Sequence, residues 1–163
     1  MANSDGDDVV IVSETRNGLF QNEAIAAMRR LVIDQPTTVG GMGMGPHPFE
    51  VLAAALGACT SQTLRMYINS RQWSVGRIRV AVVPSLAPDT GRPRFERTIE
   101  FEGALSEAQR GELEAAADKS PVNTALKGSD VVTHVGPIGD RDEAADRASN
   151  AHWIMLGQAL RAS

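Results

Sequence analysis

A chain of 163 residues, 42% hydrophobic and 22% charged, has the size and balance of a single globular domain with one core rather than of a disordered or fibrous protein. Its net charge of -4 and the spacing of Arg71, Arg77 and Arg79 among apolar residues exclude a surface that tracks a phosphate backbone, so nucleic acid is not expected as a partner. No apolar run reaches the length of a membrane span and the opening MANSDGDDVV is acidic where a secretory signal is basic and then apolar, so a cytoplasmic protein without a membrane partner is expected.

Val9 to Val12 is a β-branched run. The turn-forming Arg16-Asn17-Gly18 and a second run from Leu19 to Ile25 follow it, which predicts an N-terminal hairpin. Leu31 to Ile33 adds a third strand before Asp34-Gln35-Pro36 breaks it. Gly40 to Pro46, GGMGMGP, carries neither a helix nor a strand pattern and has the backbone freedom of a mobile loop. From Pro48 to about Asn69 the chain is rich in Leu, Ala, Met and Gln, which predicts one long helix with proline in its first turn. Val51 to Cys59 offers no polar face, so this half is expected to be buried all round, and a symmetric partner helix in an isologous dimer is one way to cover it.

Ile78, Val80 and Val82 alternate with Arg79 and Ala81, and Phe95, Ile99 and Phe101 alternate with Glu96, Thr98, Glu100 and Glu102; both patterns are those of strands, joined by a hairpin-like loop from Pro84 to Pro93. Ser106 followed by Gln109 is a capping box, opening a helix that runs to about Lys119 and stops before Pro121. Asn123 to Leu126 restarts it briefly. Val131 to Val135 closes the sheet region, and Asp142 to Leu160 reads as a terminal helix. Strands, long helix, strands, helix, strand and helix in that order make an α+β domain over residues 1–135, with residues 136–163 a helical extension of it.

A single cysteine, Cys59, precludes an internal disulfide, and its bland role is that of a small core residue. Three histidines, His47, His134 and His152, are scattered and together with one cysteine give no metal-ligand spacing, so neither a metal nor a cofactor is expected. His47 beside two prolines reads as a loop residue. Met42 and Met44 on the glycine loop are suited to an apolar entrance, because methionine adapts to irregular ligands, and equally to an unconstrained loop.

The stretch GPHPFEVLAAALGACTSQTLRMY, Gly45 to Tyr67, resembles the signature of the OsmC/Ohr family, in which Gly-Pro-x-Pro leads into an alanine-rich helix bearing Gly-Ala-Cys-Thr. Ile33-Asp34-Gln35-Pro36 before Gly40-Gly41, Arg97 to Gly103 (RTIEFEG), the capped helix at Ser106 and Pro121-Val122 extend the resemblance over roughly residues 9 to 135. It implies an OsmC-like fold: an intertwined homodimer with long central helices wrapped by sheets from both chains. The chemistry it implies is reduction of an organic hydroperoxide by a thiolate, here Cys59, through a sulfenic acid, with a second cysteine closing a disulfide that an external thiol reductant opens. Such chemistry requires a lowered thiol pKa and an apolar channel for the hydroperoxide.

Cys59 lies about ten residues into its helix, beyond the reach of the helix dipole, so a cation has to stabilise the thiolate. In Ohr-type relatives an arginine of the early hairpin supplies it, held by a glutamate near the start of the long helix. Arg16 occupies the matching turn, with Arg29 and Arg30 as fallbacks. The family's glutamate position, ten residues before the cysteine, is Phe49 here, and Glu50 follows it. At about 100° per residue, an offset of nine places Glu50 on the far side of the helix from Cys59, and Phe49 suits an apolar wall near the thiol. The family's resolving cysteine is Ser120, in Ser120-Pro121-Val122, and a hydroxyl forms no disulfide. Three functions stay open: a one-cysteine thiol peroxidase resolved by an external thiol, a non-catalytic dimer that binds a small apolar ligand or senses oxidant through Cys59, and another thiol-based reaction such as ester hydrolysis.

Overall fold

The computed structural model describes residues 9–86, Asp89 and residues 93–128. The expected strand at Val131–Val135, the helix at Asp142–Leu160 and with them His134, His152 and the 136–163 extension lie outside the described residues. The chain divides into two compact units, one within Met1–Val51 and the other within Leu52–Val131.

The first unit is an antiparallel three-stranded sheet of β1 (Ile11–Glu14), β2 (Asn22–Ala26) and β3 (Arg29–Ile33), in that order. β1 and β2 pair from Ile11 opposite Ile25 to Glu14 opposite Asn22, so the expected hairpin is present. Its second strand begins at Asn22 rather than Leu19, because the connection around Arg16-Asn17-Gly18 takes in Leu19 and Phe20, both exposed. Arg16 sits at φ 62 and Gly18 at φ 120. β3 starts at Arg29, two residues before the expected Leu31, because Ala27 and Met28 make a two-residue turn with φ 46 and 60. Positive φ at both central residues matches the twist of an antiparallel pair, and here neither residue is the glycine or asparagine that would announce it.

The glycine loop contains no helix or strand and follows a short 3-10 turn at Thr37–Val39, but it is held in place rather than loose. Asp34, 1% exposed, accepts hydrogen bonds from the backbone N–H groups of Gln35 at 2.8 Å and of Met42 and Met44 at 3.2 Å each. Its own N–H donates to the carbonyl of Pro46 at 3.2 Å. The loop wraps so closely that a Cβ on Gly41 would fall 1.9 Å from the Gln35 carbonyl oxygen, and one on Gly45 would fall 2.1 Å from that of Val32. Glycine at these two positions is therefore a requirement of close backbone approach.

α1 (Pro48–Ser70) is the long helix, unbroken, with proline in its first turn as expected. From Leu52 onward it belongs to the second unit. Ala53, Leu56, Cys59, Thr60, Thr63, Leu64, Tyr67 and Ile68 are buried at the three- and four-residue spacing of one helix face. Ala54, Ala55, Ala58 and Gln62 are exposed in the single chain, so the expectation of a stretch buried all round holds on one side only. Gly57 faces the sheet, where an added Cβ would lie 3.4 Å from Val82 Cγ2.

That sheet is the antiparallel pair β4 (Ile78–Leu86) and β5 (Pro93–Phe101), with Ile78 opposite Phe101 and Val80 opposite Ile99. α2 (Glu107–Asp118) begins with the expected box: Gln109 N–H donates to Ser106 Oγ at 3.2 Å and Ser106 N–H to Gln109 Oε1 at 2.9 Å. α3 (Pro121–Gly128) is longer than the brief restart expected at Asn123–Leu126, because Pro121 serves as its first residue, where a missing N–H costs nothing. Leu64, Tyr67 and Ile68 of α1 with Leu113, Ala116 and Ala117 of α2 form the core, closed by Trp73, Ile78, Ile99 and Phe101. Helices and antiparallel sheets in this order confirm the α+β class.

Burial would by itself raise the Asp34 pKa, but the donors on Gln35, Met44 and Met42 and on the Gln21 side chain outweigh it and hold the carboxyl below its ordinary value of 3.8. A carboxyl depressed on folding contributes stability that is complete above its unfolded pKa and is lost as pH falls through its folded one. Asp34→Asn should therefore lower the urea midpoint at neutral pH, and its gap to wild type should narrow below about pH 4. A gap that does not change with pH would show that the charge is not what holds the loop.

Candidate thiol site

Cys59 is 3% exposed and lies about three turns past the start of α1, too deep for the dipole of its own helix to act on it. The turns around it are tied by hydroxyls. Thr63 Oγ1 donates to the Cys59 carbonyl at 2.8 Å, and Thr60 Oγ1 donates to the Leu56 carbonyl at 2.8 Å.

Thr60 also accepts a hydrogen bond from a residue the sequence reading passed over. Arg97 lies on the apolar face of β5, in phase with Phe95, Ile99 and Phe101 and opposite Val82, with only 14% of its side chain exposed. Nη1 donates to Thr60 Oγ1 and to the Ala117 carbonyl, both at 3.0 Å, and Nη2 pairs with Asp118 Oδ1 at 2.7 Å. One guanidinium thus ties the residue after Cys59 to the C-terminal end of α2. The signal was present in the alternation itself: an arginine in the inward phase of a strand must find partners, and it finds them here.

Ser120 follows at the α2–α3 junction, fully buried, with its backbone N–H bonded to the Ala117 carbonyl and its own carbonyl accepting from Thr124. Among the described residues its Oγ has no hydrogen-bond partner. Buried hydroxyls are seldom left in this state, and the environment is one that a thiol, which loses less by being unpaired, would occupy at lower cost.

The remaining expected site residues lie in the first unit. Arg16 is exposed, in the left-handed region at φ 62, and among the described residues no carboxylate pairs with it. Arg30 is engaged on the sheet by Glu23, at 2.8 and 2.7 Å to the two carboxylate oxygens, while Arg29 is exposed. Glu50 caps its own helix: its Oε2 accepts the His47 N–H at 2.9 Å, with His47 Nε2 3.8 Å away. This is the third-residue half of a capping box and a sufficient structural reason for the glutamate. Phe49, one residue earlier, is 45% exposed. Met42 and Met44 are exposed on the loop. Among the described residues no group of histidine, cysteine and acidic side chains is placed to hold a metal, and no helix is long and apolar enough to cross a membrane.

The model of the OsmC-like protein family matches residues 41–135, more than half of the chain, and includes both Cys59 and Ser120. The chain belongs to the OsmC-like family. Its fold is shared with solved members. An OsmC-like protein from Mycoplasma pneumoniae superposes with a TM-score of 0.63 at 17% identity, covering 78% of this chain and 90% of that one. An organic hydroperoxide resistance protein from Legionella pneumophila gives 0.52 at 22%, covering 74% and 88%. The organic hydroperoxide resistance protein OhrB of Bacillus subtilis gives 0.52 at 18%, covering 74% and 92%. No curated protein matches the chain.

In this OsmC-like chain the unpaired Ser120 hydroxyl makes a stability prediction. Ser120→Ala deletes a buried group with no partner, so urea unfolding should show no loss and a gain of up to about 1 kcal/mol. A loss of about 1 kcal/mol or more would mean that the hydroxyl has found a partner in solution.

Proposed function

We propose that this OsmC-like protein is a thiol peroxidase that reduces organic hydroperoxides through Cys59 and is resolved by an external thiol. The observation that carries the reading is Cys59 itself: the chain's one cysteine, buried on α1 within the span the family model matches and in the Gly-Ala-Cys-Thr that resembles the family's signature. The Cys59 thiolate attacks a peroxide oxygen, an S–O bond forms as the O–O bond breaks, and the alkoxide leaves as the alcohol after taking a proton. The sulfenic acid that remains loses water to a first external thiol, giving a mixed disulfide. A second thiol releases Cys59 reduced and leaves as the external disulfide.

Arg16 supplies the positive charge the thiolate requires. Its strained backbone supports the assignment, since a non-glycine residue at φ 62 persists only where surrounding structure enforces it. The protein acts as a homodimer, in which a second α1 covers Ala54, Ala55 and Ala58; these small residues on one helix side allow a close helix approach. A second reading, an apolar-ligand-binding or oxidant-sensing dimer, is favoured by one observation: the acid near the start of α1, Glu50, is committed to the helix cap rather than left to orient an arginine.

Consumption of cumene hydroperoxide with a dithiol tests the function. Wild type should turn over, Cys59→Ser should be inactive, and Ser120→Cys should form a disulfide with Cys59 and turn over faster. A wild type no faster than Cys59→Ser would leave the binding reading. Arg16→Met should raise the pH at which Cys59 alkylates, as loss of a nearby cation does; an unmoved profile would remove Arg16 from the site.

A further inference from the structure

The relay that reaches Arg16 starts at Asp34. Within the first unit, the Gln21 side chain is buried between two groups. Its amide favours the charged form of the Asp34 carboxyl, and its Oε1 accepts from Thr15 Oγ1 at 2.8 Å. Thr15 Oγ1 in turn accepts the N–H of Asn17 at 3.2 Å, and the Thr15 N–H closes the hairpin onto the Gln21 carbonyl at 3.1 Å. Arg16 is the residue between these two, bracketed by a backbone bond before it and a side-chain bond after it. A carboxylate accepts only, which obliges the Gln21 amide to present its NH2 to Asp34 and its oxygen to Thr15; the direction of every bond in the relay follows from that one charge.

A second route runs through the loop. Asp34 fixes the N–H groups of Met42 and Met44. The Met42 side chain then lies across the Arg16 turn, so close to Gly18 that a Cβ there would sit 2.8 Å from Met42 Sδ, and Phe20 packs 3.5 Å from the Cβ position of Gly40. The polar and the apolar routes both begin at Asp34 and both end on the turn that holds Arg16 at φ 62.

We infer that Asp34 is a positioning residue for Arg16, acting through Gln21 and Thr15 on one side and through Met42 on the other. The inference rests on the proposed role of Arg16 for its bearing on chemistry, but not for its structural content. Arg16 lies in the left-handed region, and the buried carboxylate is the group from which both sets of restraints extend.

The test separates these two layers. In the full-length protein, Asp34→Asn leaves every direct contact of Asn17 untouched, yet it should speed amide exchange of Asn17 and Gly18 and tryptic cleavage after Arg16 by about tenfold or more, a larger factor than any rise in exchange in α2. Thr15→Val, a milder change that keeps the glycine loop clamped, should do the same should Asp34→Asn perturb folding. Both variants should also shift the pH profile of Cys59 alkylation in the direction Arg16→Met shifts it, with no further shift when either is combined with Arg16→Met. Unchanged exchange and cleavage at the turn in both variants would overturn the inference, as would additive shifts in the double variants. A loosened turn with an alkylation profile insensitive to Arg16→Met would support Asp34 as the anchor of the turn and would instead overturn the reading of Arg16 as the cation for Cys59.

Discussion

The constraint on which the site depends is the depth of Cys59 in an unbroken helix. About three turns in, every backbone N–H near the thiol is already bonded within the helix and the dipole has faded, so α1 supplies position and burial but no charge. Everything else a thiolate needs must come from other elements. The hydroxyls of Thr60 and Thr63 turn back onto the helix's own carbonyls, β5 sends Arg97 to Thr60, and the α2–α3 junction places Ser120 in the same unit as the thiol.

Two charges, Asp34 buried and Arg97 part-buried, organise the two units, and they do so in different ways. Arg97 is shared among a hydroxyl, a carbonyl and a carboxylate from two helices, so it joins elements while retaining an exposed partner in Asp118. Asp34 is served by donors from the loop that follows it and from Gln21 just before β2, so it shapes a single stretch of chain. A buried charge with one donor is a liability; one with several fixes a unique arrangement of whatever carries those donors. In the first unit that arrangement includes the turn bearing Arg16.

The sequence displayed what depends on local chemistry. Ser106 and Gln109 announced the α2 cap, Pro48 the start of α1, the alternation at Ile78–Val82 and Phe95–Phe101 the second sheet, and Gly-Ala-Cys-Thr the position of the thiol. It hid what depends on partners distant in the chain. Ala27-Met28 makes a tight turn with no turn residue, because pairing of β2 with β3 imposes the conformation. GGMGMGP reads as freedom until Asp34, several residues upstream, takes up its N–H groups. Arg97 reads only as the first residue of RTIEFEG until the phase of its strand is counted, and Glu50 reads as a displaced catalytic acid until its bond to His47 shows it capping the helix.

Reduction of hydroperoxides by Cys59 without a second cysteine in the chain is the central claim. Mixing reduced protein with one equivalent of cumene hydroperoxide in the absence of any other thiol, with dimedone present to trap the product, tests it directly by mass spectrometry. The expected result is a single dimedone adduct on Cys59 and one equivalent of cumyl alcohol released. A protein whose Cys59 stays reduced while the hydroperoxide persists would contradict it.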